Sequence, residues 1–374
     1  MRLLRSGYWF FSFFVAVACS PPPPSTGDTG PLGPRVDQLF SEFTVSGSPG
    51  AAAMVVQDGQ VTHSAGYGLA NTDRELGLTP RTPIRLGSVG KQFTSMAAMI
   101  LADRGLLAFD DPVIEWVPEL ERFPGIQVQH LLRHTSGLPD YYDLPEETFQ
   151  GVSDSDGDPV LTNRDVITIY RDWGGPLFAP GEQYRYSNPG YEVLALIVER
   201  VSGRPFGEFL AEEIFRPLDM ETAVVRDRPD VEIPDRAVGY RPGRFGLGWV
   251  EEDDHFANWL VGAGGVYASL EDLYLWDQAL DTDTLVSHEI RNLAFSPTML
   301  DDGSVSDYGF GWRVGDRLGR KAVHHGGSWV GFRAAIIRFV DDATTVVVLS
   351  NASASAGDLA EGIAALVLNG NGGS

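Results

Sequence analysis

The segments of this chain that resemble β-strands lie near its two ends. Residues 51–57 and 60–67 flank Asp58-Gly59, a dipeptide typical of a two-residue hairpin turn. Near the other end, residues 333–340 and 343–349 are rich in Ile, Val and Thr, which favours a second pair of strands. We therefore expect one antiparallel sheet to which both ends of the chain contribute.

Helical patterns account for most of what lies beside and between these strands. Apolar periodicities predict helices at each end of the folded body and more within it, over residues 35–43, 88–104, 112–116, 191–202 and 359–368. The predicted fold class is α+β, with an α/β part formed by residues 35–87 and about 260–370 and a mostly helical part inserted at about 88–259. A cleft between the two parts is the expected location of a site.

The N-terminus has the layout of a secretory signal peptide. Residues 1–18 begin with basic residues, continue with an apolar run too short to cross a bilayer and end on small residues. Because Ala16-Val17-Ala18-Cys19 resembles a bacterial lipobox, we expect Cys19 to carry a lipid anchor; an ordinary signal peptide cut just before it is the alternative. Residues 19–34 are rich in Pro, Gly and Ser and predict a linker. The expected location is the periplasm or cell surface, after secretion across the inner membrane.

The charge and the basic residues of the chain restrict its function further. The formal net charge of -23, from 28 Lys+Arg and 51 Asp+Glu, argues against nucleic acid as a partner. One cysteine excludes an internal disulfide. The chain has two lysines, Lys91 and Lys321, and its other cations are arginines. Because arginine stays protonated at every working pH, a lysine kept in such a chain indicates proton transfer.

Ser88 and Lys91 form the first candidate catalytic pair. They lie three residues apart at the start of a predicted helix, so their side chains can touch. Serine needs a neighbour that takes its proton, and a partly desolvated lysine can do so. Ser-x-x-Lys is also a frequent chance pattern, and an N-cap serine beside a solvated lysine is the structural alternative.

Two further segments carry side chains suited to the same chemistry. In Tyr186-Ser187-Asn188, the tyrosine could act as a base if cations lowered its pKa, and the asparagine could hold a lysine and a substrate amide. In His325-Gly326-Gly327-Ser328, the glycines would let a substrate lie against backbone N–H groups that stabilise an oxyanion. Adjacent strand residues face opposite ways, so only one of His324 and His325 should face the cleft.

The metal-binding patterns in the sequence are incomplete. Residues 154–158 have the carboxylate spacing of a calcium loop without its following glycine and distal glutamate, which favours a solvated acidic loop. His130 and His134 lie one helical turn apart without the glutamate of a zinc protease motif, which favours a structural role. We expect neither a metal nor an organic cofactor.

Taken together, the three catalytic segments resemble the serine β-lactamase and penicillin-binding-protein-like superfamily. The nearest likeness is to its class C branch, which includes β-lactamases, D,D-carboxypeptidases, D-amino-acid peptidases and esterases. Stretches such as IRLGSVGKQFTSM, HLLRHTSGLPDY and YGFGWRV share it, and it covers nearly all of residues 35–368. The resemblance implies a β-lactamase/transpeptidase-like fold and a serine hydrolase.

The resemblance also implies roles for the first two segments. Ser88 matches the acylated nucleophile and Lys91 the lysine that activates it. Tyr186 matches the tyrosine that acts as base and acid. Asn188 matches the asparagine that holds the lysine and the substrate amide.

The third segment departs from the β-lactamases in one residue. His325 stands where they have lysine, followed by Gly326 and Gly327, and the backbone N–H of Ser328 would form the oxyanion hole with that of Ser88. A histidine titrating near 6.5 replaces a permanent cation, which weakens the case for a β-lactamase. The rate should then change around the histidine pKa.

These observations predict a secreted serine hydrolase that forms an acyl-enzyme on Ser88. Its expected partners are a small-molecule or peptide substrate, namely small esters, D-amino-acid peptides or peptidoglycan fragments, and the membrane through Cys19. A β-lactamase or penicillin-binding D,D-carboxypeptidase is one alternative. A non-catalytic surface protein that binds cell-wall ligands is another.

Overall fold

A computed structural model of the chain describes residues 32–149 and 160–370. The predicted signal peptide, Cys19, most of the predicted linker and the acidic loop at 154–158 lie outside these residues. The described helices are α1 (Leu32–Leu39), α2 (Lys91–Asp103), α3 (Val113–Trp116), α4 (Val128–Leu132), α5 (Asn163–Asp172), α6 (Asn188–Ser202), α7 (Phe206–Leu210), α8 (Leu270–Ala279), α9 (His288–Ala294) and α10 (Ala356–Gly370). Helix α1 begins three residues before the predicted start of the folded body.

The described strands form one large sheet and several small ones. They are β1 (Ala51–Gln57), β2 (Gln60–Tyr67), β3 (Leu69–Asn71), β4 (Leu76–Gly77), β5 (Ile84–Arg85), β6 (Val224–Val225), β7 (Tyr240–Pro242), β8 (Trp249–Glu251), β9 (Val266–Ala268), β10 (Thr298–Met299), β11 (Val305–Ser306), β12 (Arg313–Arg317), β13 (Arg320–Trp329), β14 (Phe332–Phe339) and β15 (Thr344–Ser350). The large sheet has six strands in the order β12-β13-β14-β15-β1-β2.

The large sheet joins the two ends of the chain. Strand β1 pairs with β15 in antiparallel register, with Ala51 opposite Ser350. The predicted hairpin is present too, because Asp58 and Gly59 both take positive φ (49° and 73°) between β1 and β2, as a two-residue turn with the sheet's twist requires. The predicted α+β fold with a sheet from both ends is confirmed.

Each face of the large sheet is covered by helices. On one face, Val36 of α1 and Ile363 of α10 pack in the same buried cluster as Val346 of β15. On the other face, Phe93 of α2 joins the larger core with Val347 of β15. Alternate residues of β15 thus enter different cores, which explains why the whole strand is buried and its residues 346–349 are apolar.

The helical part supplies the elements that carry the nucleophile and its partners. Ser88 lies in a 3-10 turn, Gly87–Gly90, and α2 begins only at Lys91, so the predicted helix over 88–104 starts three residues late. Helix α6 begins at Asn188 and ends where Gly203 takes a left-handed conformation (φ 70°). Within the described residues, no helix is both long and apolar enough to span a bilayer.

Candidate active site

Lys91 reaches the nucleophile candidate from the first turn of α2. Its Nζ lies 3.1 Å from Ser88 Oγ, 2.8 Å from Asn188 Oδ1 and 3.0 Å from the carbonyl oxygen of Ala263. The side chain is 0% exposed. The predicted contact between Ser88 and Lys91 is therefore present, and the alternative of a solvated lysine is wrong.

The neutral form of the Lys91 amine is more favourable in this site than it would be in water. Burial lowers the pKa of Lys91, while the negative charges of Glu192 and Asp140 raise it. Two of its three neighbours, Asn188 Oδ1 and the Ala263 carbonyl, can only accept hydrogen bonds. A neutral amine has two hydrogens for these acceptors, which leaves its lone pair for the proton of Ser88.

Asp140 fixes the orientation of Asn188. Its Oδ2 accepts hydrogen bonds from the backbone N–H of Asn188 (2.8 Å) and from Nδ2 of the same residue (2.9 Å). With Nδ2 engaged in this way, Oδ1 points at Lys91. Sequence reasoning missed Asp140, whose signal was its place at the end of HTSGLPD.

Glu192 is a second carboxylate that the sequence analysis missed. It lies on α6 with 0% exposure, and its two oxygens accept from the backbone N–H groups of Gly262 (2.7 Å) and Ala263 (3.0 Å). Ala263 is the residue whose carbonyl holds Lys91. An acidic residue inside the apolar run YEVLALIV was the available signal.

Tyr186 lies against Lys91, with its ring centroid 4.9 Å from Nζ. Burial raises the pKa of Tyr186, and a hydrogen bond with Ser88 opposes this only in part. The condition under which Tyr186 would act as a base, a pKa lowered by nearby cations, is therefore not met in the resting site. Tyr186 is a phenol beside the nucleophile.

His134 supports the loop that carries Tyr186. Its Nδ1 accepts the backbone N–H of Ser187 at 3.1 Å, and its ring lies 4.2 Å from that of Tyr186, centroid to centroid. The structural role predicted for this histidine holds, and it is exerted at the site. His130 has a local role, because its Nδ1 accepts the backbone N–H of Gln127 at the start of α4.

His325 faces the site from β13, whereas His324 lies on the other face of the strand. The Nδ1 of His325 lies 2.7 Å from the carbonyl oxygen of Gly326 and therefore carries the ring hydrogen. Its Nε2 then accepts a hydrogen bond from the hydroxyl of Tyr308 at 2.9 Å. Burial, and then the charge of Lys91, lower the pKa of His325 to about 3. The expected titration near 6.5 is therefore wrong, because this histidine is neutral from pH 5 to 8.

Two glycines allow β13 to lie directly against the nucleophile turn. A Cβ on Gly327 would lie 1.9 Å from the Leu86 carbonyl oxygen and 3.3 Å from the backbone N of Ser88. A Cβ on Gly87 (φ 51°) would lie 2.9 Å from the backbone N of Ser328. This close approach sets the two backbone nitrogens predicted for the oxyanion hole on facing segments.

Ser88 lies where two cavities meet. The larger, of about 570 Å³, is bordered by Tyr186 and His325. The smaller, of about 80 Å³, is bordered by Asn188 and Glu192. In the described parts of the chain, no group of three or more His, Cys, Asp or Glu is placed to hold a metal ion.

Comparison with known proteins identifies the family of the chain. Residues 36–369 match the Beta-lactamase family. The chain belongs to this family. It is 32% identical over 328 residues to penicillin-binding protein 4* of Bacillus subtilis, spanning 85% of this chain and 71% of that protein. As a family member with the catalytic segments in place, it is a serine hydrolase.

The chain is also similar to D-aminopeptidases and to a penicillin-binding-protein homologue. The chain is 30% identical over 306 residues to a D-aminopeptidase of Gluconobacter oxydans, and the match spans 81% of this chain but 56% of that longer protein. The structure of the octameric penicillin-binding protein homologue from Pyrococcus abyssi superposes with a TM-score of 0.78 at 29% identity, covering 92% of this chain and 78% of that one. The predicted resemblance and fold are thus confirmed.

Proposed function

We propose that this protein hydrolyses amide or ester bonds of small D-amino-acid substrates through an acyl-enzyme on Ser88. The observation that carries the proposal is the set of contacts made by Lys91, whose buried nitrogen touches Ser88 and two acceptors. Similarity to D-aminopeptidases over most of the chain supports the substrate class. Small esters fit the same acylation chemistry.

Acylation begins with neutral Lys91. Its nitrogen takes the hydroxyl proton of Ser88 while Oγ bonds to the substrate carbonyl carbon, and the carbonyl π electrons move to the oxygen. The backbone N–H groups of Ser88 and Ser328 hydrogen-bond that oxyanion. Preorganised donors of this kind contribute about 10²–10³-fold to the rate.

The leaving group departs with a proton supplied by Tyr186. As a half-buried phenol whose pKa is raised, Tyr186 gives its proton to the leaving nitrogen or oxygen and recovers one from the Lys91 ammonium as the carbon–leaving-group bond breaks. Water then attacks the acyl-enzyme, its proton passing to the same pair, and Ser88 is released with its own proton restored. Each cycle returns every side chain to its starting state.

A neutral His325 favours this function over that of a β-lactamase. The corresponding lysine of the β-lactamases is a permanent cation, whereas His325 has both ring nitrogens engaged and stays uncharged. A β-lactam carboxylate would therefore meet no charge at this position.

A substrate panel with matched variants tests the proposal. D-alanine p-nitroanilide, its L-enantiomer, p-nitrophenyl acetate and nitrocefin are compared on the wild type and on Ser88→Ala. We expect turnover of the D-anilide and the ester, which Ser88→Ala abolishes, and little or none of the L-anilide. Turnover of nitrocefin alone would identify a β-lactamase instead.

Covalent labelling separates an enzyme from a protein that only binds cell-wall ligands. A fluorophosphonate should add to Ser88, as detected by intact-mass and peptide mass spectrometry. Absence of an adduct on a folded protein, together with no turnover, would leave the binding role.

We further propose that the protein is secreted and held at the membrane through Cys19. The signal-like residues 1–18, the lipobox-like tetrapeptide and the linker that follows support this. In a bacterial host that processes lipoproteins, the wild type should sediment with membranes and Cys19→Ala should be soluble in the periplasm. A wild type found wholly in the soluble fraction would contradict the anchor.

A further inference from the structure

The nucleophile has very different amounts of space on its two sides. Ser88 and Ser328, whose backbone N–H groups are predicted to hold the oxyanion, both border the larger and the smaller cavity. The cavity that Tyr186 borders measures about 570 Å³, whereas the one that Asn188 borders measures about 80 Å³. A substrate carbonyl held between the two serines therefore places one substituent in a wide space and the other in a narrow one.

The smaller cavity is the one that receives the acyl group. Tyr186 protonates the leaving group, and Asn188 holds an amide of the acyl part, so the two parts of the substrate divide between the two cavities. A cavity of about 150 Å³ is enough for one benzene molecule. At about 80 Å³, the smaller cavity has room for a methyl group but not for an aromatic ring.

Trp329 is the largest side chain that the described residues place on the smaller cavity, and it does not border the larger one. It is the last residue of β13 and follows Ser328 directly, so one peptide unit sets its position relative to the oxyanion donor. Tyr142 borders the same cavity but is 69% exposed, so it can turn away from an incoming group. Trp329 is therefore the wall to examine for rigidity.

Three contacts fix the ring of Trp329. Its Nε1 donates a hydrogen bond to Oδ1 of Asn258 at 2.6 Å. The guanidinium of Arg85 lies over the ring, 4.8 Å from its centroid, and the ring of His255 lies nearly perpendicular to it at 5.2 Å between centroids. The indole cannot turn out of the cavity without breaking the hydrogen bond and leaving the arginine.

The residues that hold Trp329 are themselves buried and fixed. Arg85 and Asn258 are each 1% exposed. Arg85 donates through Nη1 to Asn258 Oδ1 at 3.0 Å, through Nη2 to the Asn258 carbonyl at 2.9 Å and through Nε to the Gly264 carbonyl at 3.1 Å. Because Asn258 Oδ1 accepts from both Arg85 and Trp329, replacing the tryptophan leaves this buried acceptor with a donor.

We propose that Trp329 limits the acyl group of the substrate to the size of alanine. This rests on the proposed function. A larger acyl group would overlap an indole that its neighbours hold in place, and a filled space of this kind does not accept extra volume without displacement of its walls. The preferred substrates therefore carry a D-alanyl group or one as small, such as acetyl.

Two anilides that differ by one phenyl ring test the proposal. D-alanine p-nitroanilide and D-phenylalanine p-nitroanilide have the same leaving group. We expect the wild type to favour the alanine substrate in kcat/KM about tenfold or more, as pockets do when they reject extra volume. Trp329→Leu should raise kcat/KM for the phenylalanine substrate about tenfold and leave that for the alanine substrate within a few-fold. General damage to the fold does not produce a gain on one substrate.

Two further variants show whether the effect belongs to the indole of Trp329. Trp116→Leu removes a partly buried tryptophan from the helical part, where it borders neither cavity, and should keep the wild-type preference. Trp329→Phe keeps a ring for Arg85 to cover and decides the question by the same gain if Trp329→Leu does not fold. A folded Trp329 variant without any gain on the phenylalanine substrate overturns the proposal.

A pair of esters separates this proposal from the proposed function. p-Nitrophenyl acetate and p-nitrophenyl phenylacetate also differ by one phenyl ring on the acyl side, but neither contains a D-amino acid. A preference for the acetate that Trp329→Leu relaxes, in a protein that hydrolyses neither anilide, would overturn the D-amino-acid substrates alone. Hydrolysis of both anilides by the wild type with equal kcat/KM would overturn the size limit alone.

Discussion

Glu192 and Lys91 are connected through one residue, Ala263. The backbone N–H of Ala263 binds the carboxylate of Glu192 at 3.0 Å, and its carbonyl oxygen binds the nitrogen of Lys91 at 3.0 Å. All three residues are buried. The loop that positions the base is thus held by a carboxylate whose charge also acts on the base.

Replacing Glu192 with Gln should shift the pH dependence of catalysis. The negative charge of Glu192 raises the pKa of Lys91 against the effect of burial, and Lys91 acts as a base only when neutral. Without that charge the pKa of Lys91 falls, so the acid limb of kcat/KM should move to lower pH, together with a lower maximal rate because the loop is less well held.

The control for this prediction is Glu199→Gln. Glu199 lies on the same helix, α6, but is partly exposed and binds the backbone N–H of Phe206. The pH profile of kcat/KM for Glu199→Gln should match that of the wild type. A Glu192→Gln enzyme whose acid limb stays in place would show that the carboxylate has only a structural effect.

Lys91→Arg should lose activity although it keeps a positive charge. Arginine cannot give up its proton at working pH, so the general-base contribution, about 10²–10⁴-fold, is lost. Steady-state kcat and the rate of fluorophosphonate labelling measure this. Lys321→Arg, an exposed change on β13, should leave both unchanged. A Lys91→Arg enzyme within tenfold of the wild type would require another base.

His325 should remain uncharged across the working pH range. Because burial and Lys91 lower its pKa to about 3, the Cε1–H resonance of His325 should not shift between pH 5 and 8. His325→Asn removes that resonance and so assigns it. Any change of rate over this range then comes from other groups, with Lys91 and Glu192 the buried candidates near the nucleophile. A midpoint for His325 near 6.5 would mean that the site is more hydrated than its packing indicates.

Two adjacent glycines of β13 should respond differently to one added methyl group. Gly327→Ala places a Cβ against the Leu86 carbonyl oxygen and should lower stability by about 1–3 kcal/mol, as overpacked cores do. At Gly326 the same group would make only an ordinary van der Waals contact, 3.9 Å from the Ala334 carbonyl oxygen, so Gly326→Ala should leave the unfolding temperature close to that of the wild type. Thermal unfolding followed by circular dichroism compares them. A loss of stability in Gly327→Ala no larger than that in Gly326→Ala would show that β13 can move away from the nucleophile turn.

The sequence was sufficient to predict the sheet and the residues with distinctive chemistry. Ser88 and Lys91 were detectable because lysine is scarce in this chain, and the strands because β-branched residues cluster at its ends. Glu192 was not, because its role depends on a loop some seventy residues further along the chain returning to meet it. The family resemblance, in turn, implied the roles of the site residues but not their protonation states.

The protonation states of Tyr186 and His325 could not be read from the sequence for a related reason. Both depend on how completely the surrounding residues exclude water, and that is a property of packed elements from distant parts of the chain. Residue type alone gave a histidine that titrates near 6.5 and a tyrosine whose pKa would fall only if nearby cations lowered it. In the packed site, burial lowers the pKa of His325 and raises that of Tyr186.

The pairing of β1 with β15 has a consequence for when the enzyme becomes active. Contacts between the earliest and the latest strands form slowly, because the chain loses loop entropy before it gains them. Ser328, whose backbone N–H is predicted to form part of the oxyanion hole, lies on β13 in the late half of this sheet. A chain whose last strands have not yet paired thus has its nucleophile without the Ser328 donor opposite it. Hydrolysis is then expected only once the last strand has paired with β1.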